Sequence, residues 1–233
     1  MQRASDIEAV RNLAPFCSLA PGTFEELTRA SYLQRFPRHV TLLEEGQSAD
    51  TLHVLVEGGV EMFASHEGRR TTIAIFRPVT AFILAAVVRA APNLMSARTL
   101  ESSRVLLIPA DTIRDLIRRD SGFAVAMIDQ LAMGFRTVVK SLKDQKLRSS
   151  QERVANYLLR LQVQSGGADR CELPIDKTTL AALLGMTREN LSRSLAALST
   201  YGVEVRGRTV VFHDPAALTA YAQPDPLIDE SER

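Results

Sequence analysis

The sequence predicts an α+β chain built as an antiparallel β-roll, a long helix and a winged helix-turn-helix, and three observations carry that prediction. Apolar residues alternate with period two from about Tyr32 to Ile75. A helical seam with alternating steps of three and four runs from Ile128 to Gln145. Near the C-terminus, two capped helical segments flank Gly185 and are followed by a hairpin pattern. These assign 1–119 to the roll, 120–149 to a dimerisation helix, 150–222 to the winged domain and 223–233 to a disordered tail.

In chain order, Ile7, Val10, Leu13 and Ala14 are spaced for one apolar helix face, and Pro21-Gly22 breaks the chain before Phe24 and Leu27. The period then changes to two. Val40 and Leu42, Leu52, Val54 and Val56, Val60 and Met62, and Ile73 and Ile75 alternate with polar positions, and Gly46, Gly58-Gly59 and Gly68 sit where turns are needed. Val105 to Ile108 adds a further strand, which favours a small antiparallel roll over a parallel sheet. After Pro109 the chain becomes helical, with Asp111 as N-cap and Ile113, Leu116 and Ile117 on one face.

The long periodic stretch places Ile128, Leu131, Phe135, Val138 and Leu142 on a narrow stripe with a basic reverse face, the pattern of a homodimer seam. A helix packed on its own domain satisfies the same spacing. Between Met133 and Arg160, the basic residues Arg136, Lys140, Lys143, Lys146, Arg148, Arg153 and Arg160 outnumber Asp144 and Glu152, which suits either nucleic acid or a solvated face. Ser149-Ser150 marks the hinge into the last domain.

Composition bounds the alternatives. The 233 residues are 45% hydrophobic with a net charge of +1, as in an ordinary globular chain. No run of about 18 uncharged apolar residues occurs, and the first residues lack the apolar stretch of a signal peptide, so the expectation is a cytoplasmic protein without a membrane partner. Cys17 and Cys171 are the two cysteines, too few for a disulfide framework or an iron-sulfur site of four thiolates. As redox switches they have nothing around them in sequence that argues for a lowered pKa. With no nucleophile-base pair, metal-ligand cluster or glycine-rich phosphate loop in view, an enzyme is not expected.

The last domain carries the chemistry. Glu172-Leu173-Pro174-Ile175 reads as a short strand, and Asp176 then caps a helix bearing Leu180, Leu183 and Leu184. Gly185 takes the left-handed conformation that ends it, and Thr187 caps a second helix. Leu191, Leu195 and Leu198 form that helix's buried stripe, leaving Arg188, Glu189, Ser192 and Arg193 on the face that enters a major groove. Arginine donates two bonds to guanine, glutamate accepts from cytosine N4, and serine contacts a base edge or phosphate. A surface helix stabilised by its own ion pairs would use the same spacing. Glu204 to Phe212 reads as a hairpin with an Arg-Gly-Arg tip, so Arg206 and Arg208, with Thr178, Thr187 and Asn190, are expected on the DNA backbone.

This order of parts resembles the CRP/FNR family of bacterial transcription regulators over nearly the whole chain. The specific pieces are Leu183-Leu184-Gly185-Met186-Thr187-Arg188-Glu189-Asn190-Leu191-Ser192-Arg193 and the roll segments Glu44-Glu45-Gly46 and Leu52 to Val60. The resemblance implies a homodimer on palindromic double-stranded DNA and contact with RNA polymerase. Glu189, Ser192 and Arg193 match the residues with which the FNR-like branch reads a TTG half-site, and Arg188 matches the CRP branch. It also exposes departures. Aligning Ser96-Ala97 with the small pair of cyclic-nucleotide binders puts Leu84 and Ala85 at the ribose-binding glycine and glutamate and Met95 at the phosphate-binding arginine. A cyclic phosphate without that guanidinium carries a large desolvation penalty, so cyclic AMP is not the expected effector. The FNR cysteine cluster is missing as well.

The effector thus stays unknown. Phe82, Leu84, Ala85 and Met95 are expected around an apolar pocket, since Phe82 to Val88 is uninterrupted apolar sequence. Members lacking both sensors include regulators of denitrification and nitric-oxide response, some using haem, and His39 and His53 are the candidate ligands. Against that, His39 follows Pro37-Arg38 at a solvent-facing strand end and His53 sits at the polar phase of its strand. The competing reading is a regulatory subunit that acts on a protein partner through its roll.

Overall fold

The structure, a computed structural model, describes Val10, Arg11, Phe16, Cys17 and residues 19–230. Of the expected first helix, Val10 is buried, while Ile7, Leu13 and Ala14 lie outside the described residues. The chain forms two compact units, 1–134 and 135–233.

The first unit opens with α1 (Pro21–Ala30). Pro21 begins this helix rather than breaking it, because proline's fixed φ and missing N–H suit the first helical turn. Six strands follow: β1 (Tyr32–Phe36), β2 (Thr41–Leu43), β3 (Thr51–Glu57), β4 (Val60–His66), β5 (Arg69–Phe76) and β6 (Thr80–Phe82). A short helix, α2 (Leu84–Arg89), separates these from β7 (Ser96–Thr99) and β8 (Ser103–Pro109), and α3 (Ala110–Arg119) follows. The strands make two four-stranded antiparallel sheets, β1-β8-β3-β6 and β2-β7-β4-β5. Helix α3 starts at Ala110 without a side-chain cap; Asp111, expected as the cap, lies one residue inside and pairs with Arg114 at 2.5 Å.

Two apolar clusters hold the roll together. Leu43, Leu55, Val60, Met62, Phe82, Ala97 and Val105 fill the inner one, drawing on strands of both sheets. The other joins Leu52, Val54, Leu106 and Ile108 to Leu27, Val87, Ile113 and Phe123, so helices cover the back of the β3/β8 sheet. The period-two pattern is this alternation between clusters along β3 and β8.

His53 departs from its expected polar phase. Its side chain is buried, its ring lies 5.2 Å from that of Phe82, and its Nδ1 is 3.0 Å from the Thr51 carbonyl. Burial pushes its pKa down to about 4, against the opposing pull of the Thr51 bond. Glu61 is also buried, on β4, where Arg98 Nε donates to it at 2.7 Å, Arg70 Nη2 at 3.0 Å and Thr72 Oγ1 at 2.6 Å. Its charge is therefore paired rather than stranded.

The second unit begins within α4 (Ser121–Leu147), whose start is capped by Asp120, with Oδ1 accepting from the Phe123 amide at 2.9 Å. At Ser149 the chain passes from α4 into the next helix, whereas the two units divide earlier, at 134/135, than the hinge expected at Ser149-Ser150. At Ser149 the capping box of α5 (Ser150–Gln164) forms, Ser149 and Glu152 each accepting from the other's amide. The remaining elements are β9 (Arg170–Glu172), α6 (Lys177–Leu183), α7 (Arg188–Ala197), a 3-10 turn at Leu198–Tyr201, the hairpin β10 (Val203–Arg206) and β11 (Thr209–Phe212), then α8 (Pro215–Ala222) and the short α9 (Pro226–Asp229). Strand β9 lies earlier than the expected 172–175, since Pro174 has no N–H to continue a ladder. It completes a three-stranded sheet, β10-β11-β9. At Gly202 (φ +73) a Cβ would fall 2.5 Å from that of Asp214, so the close return of the chain after the hairpin requires glycine.

The tail expected to be disordered is instead helical over Pro226–Asp229, because Asp225 caps it and the Asp229 carboxylate pairs with Arg148 at 2.6 Å and Arg160 at 2.5 Å. Residues 231–233 lie outside the described residues.

The first unit has a testable acid limb. An unfolded histidine takes up its proton near pH 6.5 and the folded His53 only near 4, so stability present above 6.5 is lost as the pH falls through that window, by up to about 3 kcal/mol. Urea unfolding at pH 7 and pH 5 should show this loss in the wild type and a smaller one in His53→Phe; equal slopes would remove His53 as the cause.

Candidate nucleic-acid interface

Each end of the α6–turn–α7 motif is fixed by a local bond that the sequence announces. The Asp176 carboxylate accepts from the Thr178 and Thr179 amides at 2.9 and 3.0 Å and from Thr179 Oγ1 at 2.8 Å. Burial would raise its pKa, yet these bonds hold it below the usual carboxylate range. Gly185 takes φ +64 in the turn, and Thr187 Oγ1 accepts from the Asn190 amide at 3.2 Å to start α7. Leu191, Ser194, Leu195 and Leu198 are buried.

Arg188, Glu189, Ser192 and Arg193 are all exposed on the N-terminal half of α7. Glu189 lies below the usual carboxylate range through its own backbone amide, the Thr187 hydroxyl and the neighbouring Arg188 and Arg193, so it is an acceptor at neutral pH. Arg193 is not idle, since its Nη2 donates to Asn190 Oδ1 at 2.6 Å. Half-buried Asn190, expected at a phosphate, thus also holds an arginine in place. Thr178 is exposed in the first turn of α6 and Thr187 at the cap of α7, with the amides behind them already engaged by the Asp176 carboxylate and the Thr187 hydroxyl.

The wing divides its arginines. The hairpin loop is Gly207-Arg208, with Gly207 at φ +62 and Arg206 facing Thr209 across the strands. Arg206 projects outward and pairs with Glu204 at 2.7 Å. Arg208 turns inward, donating from Nε at 3.1 Å and Nη2 at 2.6 Å to the Leu173 carbonyl, which ties the wing to the segment before α6.

Behind α7 stands a buried cation that the sequence places only within a basic run. Arg153 Nε donates to the Leu184 carbonyl at 2.9 Å, beside the Gly185 turn, and its Nη1 to the Arg148 carbonyl at 2.8 Å. The available signal was its place between Val154 and the capping box, on the buried side of α5.

Along α4, Ile128, Phe135, Val138 and Leu142 are exposed, and Leu131 is half-buried against the helical side of the roll's core. By length and apolarity alone α4 would suit a bilayer span. Its apolar stripe recurs along one side, with Asp129, Arg136, Lys140 and Lys143 elsewhere, so the helix is amphipathic rather than apolar all round.

The four expected pocket residues do not converge. Phe82 and Met95 belong to the inner cluster, Leu84 to the cluster under the helices, and Ala85 is exposed. The reason is Ile83, whose φ of 61 turns the chain out of β6 into α2. Among groups that would meet a cyclic phosphate, Ser96 Oγ already accepts from the Glu45 amide at 3.0 Å, and Met95 offers no charge. Haem fits no better. His39 is exposed at φ 66 after β1, and His53 is covered by Phe82 with its Nδ1 engaged. Among the described residues there is no group of three or more His, Cys, Asp or Glu placed to hold a metal ion. Cys171 is buried and its thiol is pushed up by desolvation, away from the reactive range; Cys17 is exposed.

The sequence compares with known proteins over both units. Residues 33–120 match the cyclic nucleotide-binding domain and residues 152–221 the Crp-like helix-turn-helix domain. The chain is 31% identical over 207 residues to the cyclic AMP receptor protein of Thermus thermophilus, covering 87% of this chain and 93% of that one. It is 26% identical over 214 residues to the CRP-like cAMP-activated global transcriptional regulator of Mycobacterium tuberculosis, covering 89% and 96%. In fold it is similar to FixK2 from Bradyrhizobium japonicum, with a TM-score of 0.71 and 21% identity over 87% of this chain and 99% of that one.

Two substitutions separate base reading from backbone attraction. Arg193→Ala should cost about 1–3 kcal/mol on a specific site and relax preference at one base pair. Arg206→Ala should weaken all duplexes alike and flatten the dependence on salt. Titrations of specific and random duplex over a salt series check both, and identical behaviour of the two variants would overturn the division. Thr187→Ala should lower the unit's stability by about 0.5–2 kcal/mol through the lost cap, read by thermal unfolding.

Proposed function

This chain belongs to the CRP/FNR family of transcription regulators, and we propose that it binds palindromic DNA with TTG-type half-sites as a homodimer, independently of cyclic AMP. The observation that carries this reading is the exposed set Arg188, Glu189, Ser192 and Arg193 on a helix whose opposite face is buried. Two guanidiniums and an ionised carboxylate at one helix start supply the donors and acceptor that major-groove edges require. Thr178, Thr187, Asn190 and Arg206 set the register on the phosphates, and Arg208 acts chiefly by holding the wing.

Dimerisation is supported by the α4 stripe. Ile128, Phe135, Val138 and Leu142 are each more than half exposed, and pairing two copies of one stripe buries both about a two-fold axis. That symmetry is the source of the palindrome. RNA polymerase is the expected partner at a promoter, and genes of anaerobic or nitrogen-oxide metabolism are the proposed targets, on the resemblance to the FNR-like reading residues.

Independence from cyclic AMP rests on Met95 and Leu84. Both are packed among apolar side chains, where the charged phosphate and ribose hydroxyls would find no compensating donors. The relatives named for cyclic AMP share the architecture, and the anchor is a matter of single residues within it.

Selection of the purified, ligand-free protein against random duplex DNA at near-physiological salt tests the whole reading. Enrichment of a two-fold motif with TTG-like halves is expected, unchanged by added cyclic AMP. No enrichment without cyclic AMP and strong enrichment with it would overturn the ligand claim; none in either case would favour a regulatory subunit with a protein partner. Phe135→Glu should convert dimer to monomer in sedimentation and abolish binding to the full palindrome.

A further inference from the structure

The Crp-like match ends at residue 221, and the described chain continues for another turn of helix that folds back onto the winged unit. Asp225 Oδ1 accepts from the Leu227 amide at 2.8 Å, which starts α9 and aims Asp229 inward. One Asp229 oxygen accepts from Arg148 Nη1 at 2.9 Å and Arg160 Nη1 at 2.5 Å, and the other from Arg148 Nη2 at 2.6 Å. Lys140 Nζ donates to the Glu230 carbonyl at 2.7 Å. These cations stand on different arms. Lys140 is on the C-terminal half of α4, Arg148 is at the α4–α5 joint and Arg160 is on α5.

We propose that Asp225 to Glu230 is a strap that sets the angle of the α4–α5 joint, with Asp229 a positioning residue for the reading helix; this rests on the DNA-binding reading above. The route from strap to reading helix is continuous. Arg148, held by Asp229, gives its carbonyl to Arg153, and Arg153 gives its Nε to Leu184 at the end of α6. A change of angle at the joint therefore moves the turn that orients α7.

Charge, rather than apolar burial, fastens the strap. Leu227 on the strap is 69% exposed and Val163 on α5 is 76% exposed, and both line an open cleft of about 1010 Å³ among the strap, α4 and α5. The side chains of Arg148 and Asp229, by contrast, are only 8% and 10% exposed. A paired, bidentate contact with water excluded is strong and directional. Asp144 Oδ1 also accepts from Arg148 Nη1, at 2.8 Å, so the joint cation sits between an acid of α4 and the acid of the strap. Helix α5 retains its own cap and its buried Val154, Leu158 and Leu161 without the strap, so the fold has independent support and the angle is what the strap adds.

The test uses Asp229→Asn and a chain ending after Ala222, both against the wild type. Affinity is measured for palindromes whose half-sites are moved apart by single base pairs, and the rate of tryptic cleavage after Arg148 is measured without DNA. Both variants should keep their half-site preference, lose discrimination between spacings by about tenfold, a size usual for coupled sites, and be cut correspondingly faster at the joint. An unchanged spacing profile, or a uniform loss at every spacing with a lowered melting temperature, would overturn the proposal. If the wild type binds no DNA, the functional reading fails separately, and the cleavage rates alone decide: faster cutting of the variants upholds the strap, equal rates reject it.

Discussion

The guanidinium of Arg153 is the constraint around which the second unit is arranged. A charge this buried persists only where acceptors meet it, and here the acceptors are carbonyls of the α4–α5 joint and of the turn before α7. Neither carbonyl has a helical partner free at that point in the chain, so one cation satisfies two helix ends while fixing the distance between them. The exposed face of α7 then follows. With Leu184 held, Gly185 turns the chain, Thr187 starts α7, and Leu191 and Leu195 bury the opposite side.

The roll meets its constraints differently. Its inner face is closed with apolar side chains, and its charges are dealt with at the β4–β7–β5 surface, where Glu61 is surrounded by Arg70, Arg98 and Thr72. Arg70 also lies over the Phe63 ring, 3.5 Å from its centroid. An architecture matched by the cyclic nucleotide-binding domain is thus kept with its guanidiniums on a carboxylate, while Met95 occupies the position at which the family resemblance expects the phosphate anchor. The fold is that of the matched domain, and what such a scaffold binds is decided by a few of its side chains.

A joint between two helices can change its angle only if it has more than one stable arrangement. The joint at Ser149 has the right character. It is capped on the α5 side, crossed by ion pairs, and bordered by an open cleft. Ion pairs of this sort hold a geometry precisely and can be exchanged as units, whereas a packed apolar joint yields only by opening cavities.

Local signals were legible wherever the sequence carries both partners within a few residues. The caps at Asp176, Thr187 and Ser149, the left-handed glycine at 185, the two-residue wing loop and the exposed face of α7 are all of this type. Even the tail had such a signal, Asp225-Pro226, hidden by a composition that reads as disorder. What tertiary structure alone decided is which polar side chains are inside. His53 lies under Phe82, Arg208 turns back to Leu173, Asp229 reaches Arg148, and α2 separates Leu84 from Met95. In most of these the partner lies tens of residues away, and the cost of burying a charge or an imidazole is set by that partner's position, which no local period or cap encodes.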